Sequence, residues 1–92
     1  MRFSYYAIFE YSSEEDIQNG IYPIGIYFPD FLGCVSGADN TEHGLEMAKE
    51  SLSLHIEAEL ADKKQLPNPS DMEDLVKYLA PNERLLRITV DL

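Results

Sequence analysis

The 92-residue sequence is poor in cysteine, in positive charge and in long apolar runs. Cys34 is the only cysteine, so neither an intrachain disulfide nor a cysteine-based zinc cage can form. No stretch approaches the roughly 18 apolar residues that a membrane-spanning helix requires. The opening MRFSYYAIFEY also lacks the basic start and small-residue cleavage site of a signal peptide. We therefore predict a cytoplasmic protein without membrane contacts.

Positive charge is scarce, because 7 Lys and Arg residues stand against 17 Asp and Glu residues, for a net charge of −10. Nucleic-acid backbones and anionic membranes are bound through Lys and Arg, so we predict neither as a direct partner. Opposite potentials speed the encounter of two proteins, which makes a basic protein the natural partner. The charge alone is equally compatible with a role in solubility.

The hydrophobic content of 45% and the length indicate one globular domain over residues 1–92. Alternating apolar residues predict strands, whereas a spacing of three or four predicts helices, so the fold class is α+β. The predicted elements are strands at 3–11, 21–28 and 34–36, a long helix from about 40 to 63, a short helix from 70 to about 80, and a strand at 84–92. The first two strands form an antiparallel hairpin around a polar loop, and Pro23 indicates a strand start or an edge.

The long helix carries two apolar stripes. The main stripe consists of Leu45, Ala48, Leu52, Ile56 and Leu60, and a weaker second stripe consists of Met47, Leu54, Ala58 and Ala61. A helix that packs on a sheet needs only one stripe, so the second is predicted to contact another helix, a partner or a second subunit. We therefore take its four residues as a candidate homo-oligomer interface. Gly44, in the first turn, is expected to weaken the helix by up to about 1 kcal/mol.

No arrangement of side chains predicts catalysis. Glu10 and Asp30, near strand ends, are the best candidate metal-binding carboxylates, but their spacing does not indicate that they converge on a pair of ions. His43 and His55 lie too far apart on one helix to share a metal ion. Cys34 has no motif partner and is interpreted as a small buried hydrophobic residue. We therefore predict no enzymatic activity, catalytic residue, metal or cofactor, and a metal-dependent nuclease is the least favoured alternative.

Three segments resemble the HicB-like antitoxins of bacterial type II toxin–antitoxin systems. They are the strand YAIFE at 6–10, the loop FPDFLGC at 28–34, and the segment KESLSLHIEAELADKKQLPNPS at 49–70. The loop is similar to the family's F-P-D-L-P-G-C signature, and the last segment to its long helix with a proline-punctuated exit. Leu32 departs from the family, which usually has proline there, and Gly44 replaces an acidic or helix-forming residue.

The resemblance implies a partial RNase H-like domain with a three-stranded antiparallel sheet, a long helix, a short helix and a C-terminal strand. It also implies neutralisation of a small, basic, mRNA-cleaving toxin of the HicA type through occlusion of its surface. Many members carry a C-terminal DNA-binding module, and we predict none in this chain. The candidate toxin contacts are Glu14, Glu15, Asp16, Tyr22 and Tyr27. The alternative is a homo-oligomeric HicB-like binding domain without a toxin partner.

Overall fold

A computed structural model describes residues 1–92 as a four-stranded antiparallel sheet with a long helix across one face. The elements are β1 (Arg2–Tyr11), α1 (Glu14–Gln18), β2 (Ile24–Tyr27), β3 (Val35–Ala38), α2 (Thr41–Ala61), α3 (Met72–Val76) and β4 (Glu83–Asp91). The strand order is β3-β2-β1-β4, and each neighbouring pair is antiparallel. The predicted α+β class is confirmed.

The prediction of a three-stranded sheet is wrong, because β4 is a fourth member and pairs with β1 along its length. The pairing runs from Arg2 opposite Asp91 to Glu10 opposite Glu83. The shorter β2 pairs only with the last part of β1, from Ile8 to Tyr11. A long central strand needs partners for its backbone N–H and C=O groups, and β4 supplies them.

The segment between the first two strands also differs from the predicted polar loop. It contains α1, whose first turn is capped by Ser13, because the Ser13 hydroxyl accepts a hydrogen bond from the Asp16 N–H at 3.1 Å. Strand β2 is shorter than predicted and begins directly after Pro23. This position agrees with the predicted strand start, since proline has no N–H for the ladder.

The core lies between α2 and the face of the sheet that the alternation predicts. Ala48, Leu52 and Ile56 of the main helical stripe are fully buried, whereas Leu45 and Leu60 at its ends remain exposed. The core cluster consists of Tyr5, Ala7, Phe9, Ile24, Ile26, Phe28, Phe31, Cys34, Ala38, Ala48, Leu52, Ile56, Ile88 and Val90.

Gly44 has a packing role that its helix propensity does not predict. It is buried in the first turns of α2, and a Cβ atom at this position would lie 2.7 Å from the ring of Phe9. Phe9 is itself fully buried and cannot move aside. The glycine therefore allows the start of α2 to approach the sheet closely.

Two long-range contacts fix the segment that leads from α2 to α3. The phenol of Tyr5 donates a hydrogen bond to the carbonyl of Pro67 at 2.6 Å. The carboxylate of Asp30 accepts from the backbone N–H of Ser70 at 2.9 Å and also from the Ser70 hydroxyl. The helix α3 begins after Asp71, whose side chain makes no capping hydrogen bond, so the predicted capping signature is only partly realised.

Candidate partner-binding surfaces

The acidic residues predicted as toxin contacts form the first turn of α1. Glu14 and Glu15 are exposed, and Asp16 is half-buried. Their negative charge lies at the helix N-terminus, where it interacts favourably with the helix dipole. Because α1 connects the end of β1 with the start of β2, it lies at the end of the sheet where Tyr11 pairs with Ile24.

The two predicted tyrosine contacts differ in their environment. Tyr22 is exposed, and its ring lies over Gly37, where an added Cβ atom would come within 2.9 Å of the ring. Tyr27 is half-buried, and its hydroxyl donates to a carboxylate oxygen of Glu83 at 3.0 Å. Burial, the hydrogen bond to Glu83 and the charge of Glu83 raise the pKa of Tyr27. The hydroxyl of Tyr27 is therefore already engaged within the fold.

A groove that the sequence did not predict surrounds the start of β3 and is called the β3 groove. It consists of two adjoining depressions of about 300 and 420 Å³, which share Gly33, Cys34 and Val35 as lining residues. Large apolar side chains are exposed along it: Leu32 is 100%, Val35 68% and Leu54 60% exposed. Such a concentration of exposed apolar residues is typical of a protein contact surface.

The four residues of the predicted oligomer interface do not form one surface in the structure. Leu54 and Ala58 line the smaller depression of the β3 groove. Met47 is half-buried and packs against the core, and Ala61 is exposed but lies outside the groove. The sequence signal that could have extended the prediction was Leu32, an apolar residue between the turn residues Asp30 and Gly33.

The floor of the β3 groove is formed by buried, closely packed side chains. Cys34 is buried, and its Sγ lies 3.7 Å from the carbonyl oxygen of Ser51. Burial raises the pKa of the Cys34 thiol, and the prediction of a small buried hydrophobic residue is confirmed. Beneath the adjoining loop, the ring of Phe31 lies edge-on to Tyr5 at 4.6 Å and to His55 at 5.1 Å. These contacts hold the loop that carries Leu32 against β1 and α2.

Acidic side chains of α2 lie beside the groove without lining it. Glu50 and Glu57 are exposed on α2 and lie four residues before and three residues after Leu54, so all three share one side of the helix. Neither depression is lined by Lys or Arg. The apolar lining of the groove therefore has negative charge near it on α2, on the side of Leu54 that faces away from Ser51 and Ala58.

A larger and more polar concavity of about 550 Å³ lies between β1, β4 and the start of α3. Its walls include Arg2, Arg87 and Asp71. Arg2 pairs with Asp91 at 3.2 Å, but both side chains are largely exposed, so the pair contributes little stability. With both signs of charge present, the cavity indicates no particular class of ligand.

The candidate metal carboxylates are not brought together. Asp30 binds Ser70, whereas Glu10 lies opposite Glu83 of β4. No group of three or more His, Cys, Asp or Glu side chains converges in residues 1–92, so this geometry gives no support to the nuclease alternative. None of the helices has both the length and the apolar character needed to cross a bilayer.

A long helix on a four-stranded antiparallel sheet, with an exposed apolar groove and acidic surfaces, defines a small α+β domain suited to protein contacts. A sequence profile of the family described as HicB_like antitoxin of bacterial toxin-antitoxin system matches residues 13–91. The chain therefore belongs to this family, and the sequence resemblance is confirmed. An uncharacterized 14.9 kDa protein of Haemophilus phage HP1 is 38% identical over 48 residues, a match that covers 52% of this chain and 36% of the phage protein.

Three solved structures are similar in fold. A toxin–antitoxin complex from Streptococcus pneumoniae has a chain with a TM-score of 0.78 and 21% identity, covering 99% of this chain and 70% of that chain. A chain of the HicA3 and HicB3 toxin–antitoxin complex has a TM-score of 0.65 and 22% identity, and the match covers 98% of this chain and 100% of that chain. The N-terminal domain of Burkholderia pseudomallei antitoxin HicB has a TM-score of 0.69 and 20% identity, with full coverage of both chains. At these identities the similarity establishes the fold.

Proposed function

We propose that this protein is an antitoxin that binds a small, basic, mRNA-cleaving toxin of the HicA type and neutralises it by occluding its surface. Membership of the HicB-like antitoxin family is the observation that carries the proposal. It is supported by similar chains described as parts of toxin–antitoxin complexes, one of them of HicA3 with HicB3. The net charge of −10 suits a basic partner.

In this proposal the chain acts in the cytoplasm, without catalysis, cofactor or direct contact with nucleic acid. Its role is steric and electrostatic, because it covers the surface with which the toxin binds or cleaves RNA. We also propose that β1, β2, β3 and α2 form a partial RNase H-like unit; the three antiparallel strands followed directly by a helix support this relation.

Co-expression tests the proposal. The gene is expressed with a neighbouring reading frame that encodes a basic protein of the size of such toxins, and an empty vector replaces the antitoxin gene as the control. We expect growth arrest with the toxin alone, normal growth with both genes, and co-purification of the two proteins. A partner that fails to co-purify, or that remains toxic, would contradict the proposal.

Self-association is a second candidate function, because Leu54 and Ala58 of the predicted oligomer interface are exposed. In this alternative the chain is a homo-oligomeric binding domain without a toxin partner. Light scattering of the isolated protein over a range of concentrations distinguishes the two. A monomer at every concentration counts against this alternative and leaves toxin binding as the function.

A further inference from the structure

We propose that the β3 groove, rather than the acidic first turn of α1, is the main contact surface for the basic toxin. This inference rests on the proposed function and specifies which part of the antitoxin performs it. The expected occupant is an apolar side chain of the toxin that is flanked by Lys or Arg residues. The apolar anchor enters the groove, and the flanking cations face Glu50 and Glu57.

The distribution of exposed apolar surface supports this assignment. Leu32, Val35 and Leu54 are exposed by 100%, 68% and 60%, and they surround two depressions that share a common wall. Binding energy at protein interfaces is concentrated in central pockets filled by large side chains, whereas rim contacts contribute little. By contrast, α1 offers acidic side chains and the exposed Ile17 but lines neither these depressions nor the larger polar cavity.

The preformed floor of the groove also favours binding. Cys34 is buried beneath it, and Phe31 is held between Tyr5 and His55. The loop is further fixed by the hydrogen bonds from Ser70 to Asp30. A surface that is ordered before binding loses less conformational entropy when the partner arrives.

Charge decides between a basic partner and a second copy of this chain. A symmetric dimer formed through the groove would bring Glu50 and Glu57 of both copies close to one another, because they neighbour Leu54 on α2. No Lys or Arg lines either depression, so the groove itself offers no permanent positive charge to the four carboxylates. Like charges at an interface suppress association, whereas a basic partner would gain from the same residues.

Matched variants of the antitoxin test the inference, with the toxin purified from the co-expressed pair as the probe. Leu54→Ser and Val35→Ser remove exposed side chains from the groove, and Leu60→Ser removes an exposed side chain of α2 outside it. We expect Kd to rise about tenfold or more for the groove variants and less than about twofold for Leu60→Ser. Circular dichroism and thermal unfolding verify that all three remain folded.

Charge-reversal variants provide a second test of the inference. Glu50→Lys combined with Glu57→Lys is compared with Glu14→Lys combined with Glu15→Lys, which changes the net charge equally at the opposite end of the sheet. We expect the first pair to weaken binding at least several-fold more than the second. Groove variants that bind like the unmutated chain, together with a strong effect at α1, would overturn the groove assignment but leave the proposed function intact. Failure of the unmutated chain to bind would overturn both.

Discussion

Gly44 illustrates how one residue satisfies two conflicting demands. In isolation, glycine disfavours a helix by up to about 1 kcal/mol relative to alanine. In the fold, its missing Cβ leaves room for the fully buried ring of Phe9. The packing requirement is stronger, since overpacking a core costs roughly 1–3 kcal/mol.

We therefore expect Gly44→Ala to lower the free energy of unfolding by about 1–2 kcal/mol in spite of the better helix propensity. Chemical denaturation provides the measurement. Gly25→Ala is the matched control, because nothing lies within 4 Å of a Cβ at that position, and it should be nearly neutral. Gly37→Ala should fall between them, because the exposed Tyr22 ring can move away. A stabilising Gly44→Ala would contradict this account.

The buried phenol of Tyr5 makes the free energy of unfolding depend on pH in the alkaline range. Burial and the nearby charge of Asp30 raise the pKa of its phenol above 10.0. The folded state therefore retains this proton at a pH where the unfolded chain loses it. The free energy of unfolding should be at its full value below about pH 10 and should fall as the pH rises further.

Tyr5→Phe should make the stability less sensitive to pH above about 10, and it should cost about 1 kcal/mol at neutral pH through the lost bond to Pro67. Urea denaturation at a series of pH values measures both effects. Tyr78→Phe alters an exposed phenol and serves as the control. An identical alkaline slope in Tyr5→Phe and in the unmutated chain would show that Tyr5 does not contribute to it.

At the scale of the element, the two helix starts differ in their caps. Asn40 caps α2, because its side-chain oxygen accepts from the N–H of His43 at 2.8 Å. Asp71 occupies the same position before α3 but makes no such bond. Asn40→Ala should therefore lower the free energy of unfolding by about 1 kcal/mol. For a domain of this size that corresponds to a Tm lower by roughly 4–8 °C.

Asp71→Ala should cost less than about 0.5 kcal/mol, since the substitution is exposed and removes no hydrogen bond. Differential scanning calorimetry of the two variants, side by side with the unmutated chain, makes the comparison. Equal losses in the two variants would mean that side-chain capping does not contribute to the stability of α2.

The elements that the sequence predicts well are those with a long, regular pattern. Strand β1 and helix α2 extend over several periods of alternation or of helical spacing, so their type and approximate ends follow from local residues. Helix α1 has only five residues and depends on the cap from Ser13. Because the segment is polar throughout, its composition predicts a loop and not a helix. The alternation in β4 predicts its buried face, but no local pattern specifies that its neighbour is β1.

The candidate surfaces were less predictable, because exposure is a tertiary property. Leu54 and Ala58 were identified from helical spacing alone, and the structure places both at the β3 groove. Leu32 and Val35 come from a loop and an adjacent strand, and only folding places them along the same groove as Leu54 and Ala58 of α2. The engaged hydroxyl of Tyr27 could not be foreseen either, since Glu83 is 56 residues away in sequence.

At the scale of the whole molecule, the net charge of −10 predicts how binding depends on salt. If the partner is a basic toxin, raising NaCl from about 50 to 500 mM should slow association by about tenfold or more, because screening shortens the range of attraction. Dissociation should change much less, since it depends on the packed contacts. Stopped-flow or surface plasmon resonance measurements separate the two rates.

Replacing Glu14, Glu15 and Asp16 by Gln, Gln and Asn should reduce this salt dependence, because long-range attraction senses total charge even where no contact forms. The dissociation rate should remain close to that of the unmutated chain if α1 lies outside the interface. An association rate that does not change with salt would show that electrostatic steering is unimportant for this pair.

The pairing of β1 with β4 also affects how the protein folds during translation. Ser4 and Thr89, which share a hydrogen bond in this ladder, are 85 residues apart in the chain. At a synthesis rate of roughly 5–20 residues per second, the central strand must wait about 4–17 s for its neighbour to be made. During that interval one edge of β1 has no partner strand, and the core lacks Ile88 and Val90. A nascent chain of this antitoxin is therefore expected to become resistant to proteases only after residues 83–91 have left the ribosome.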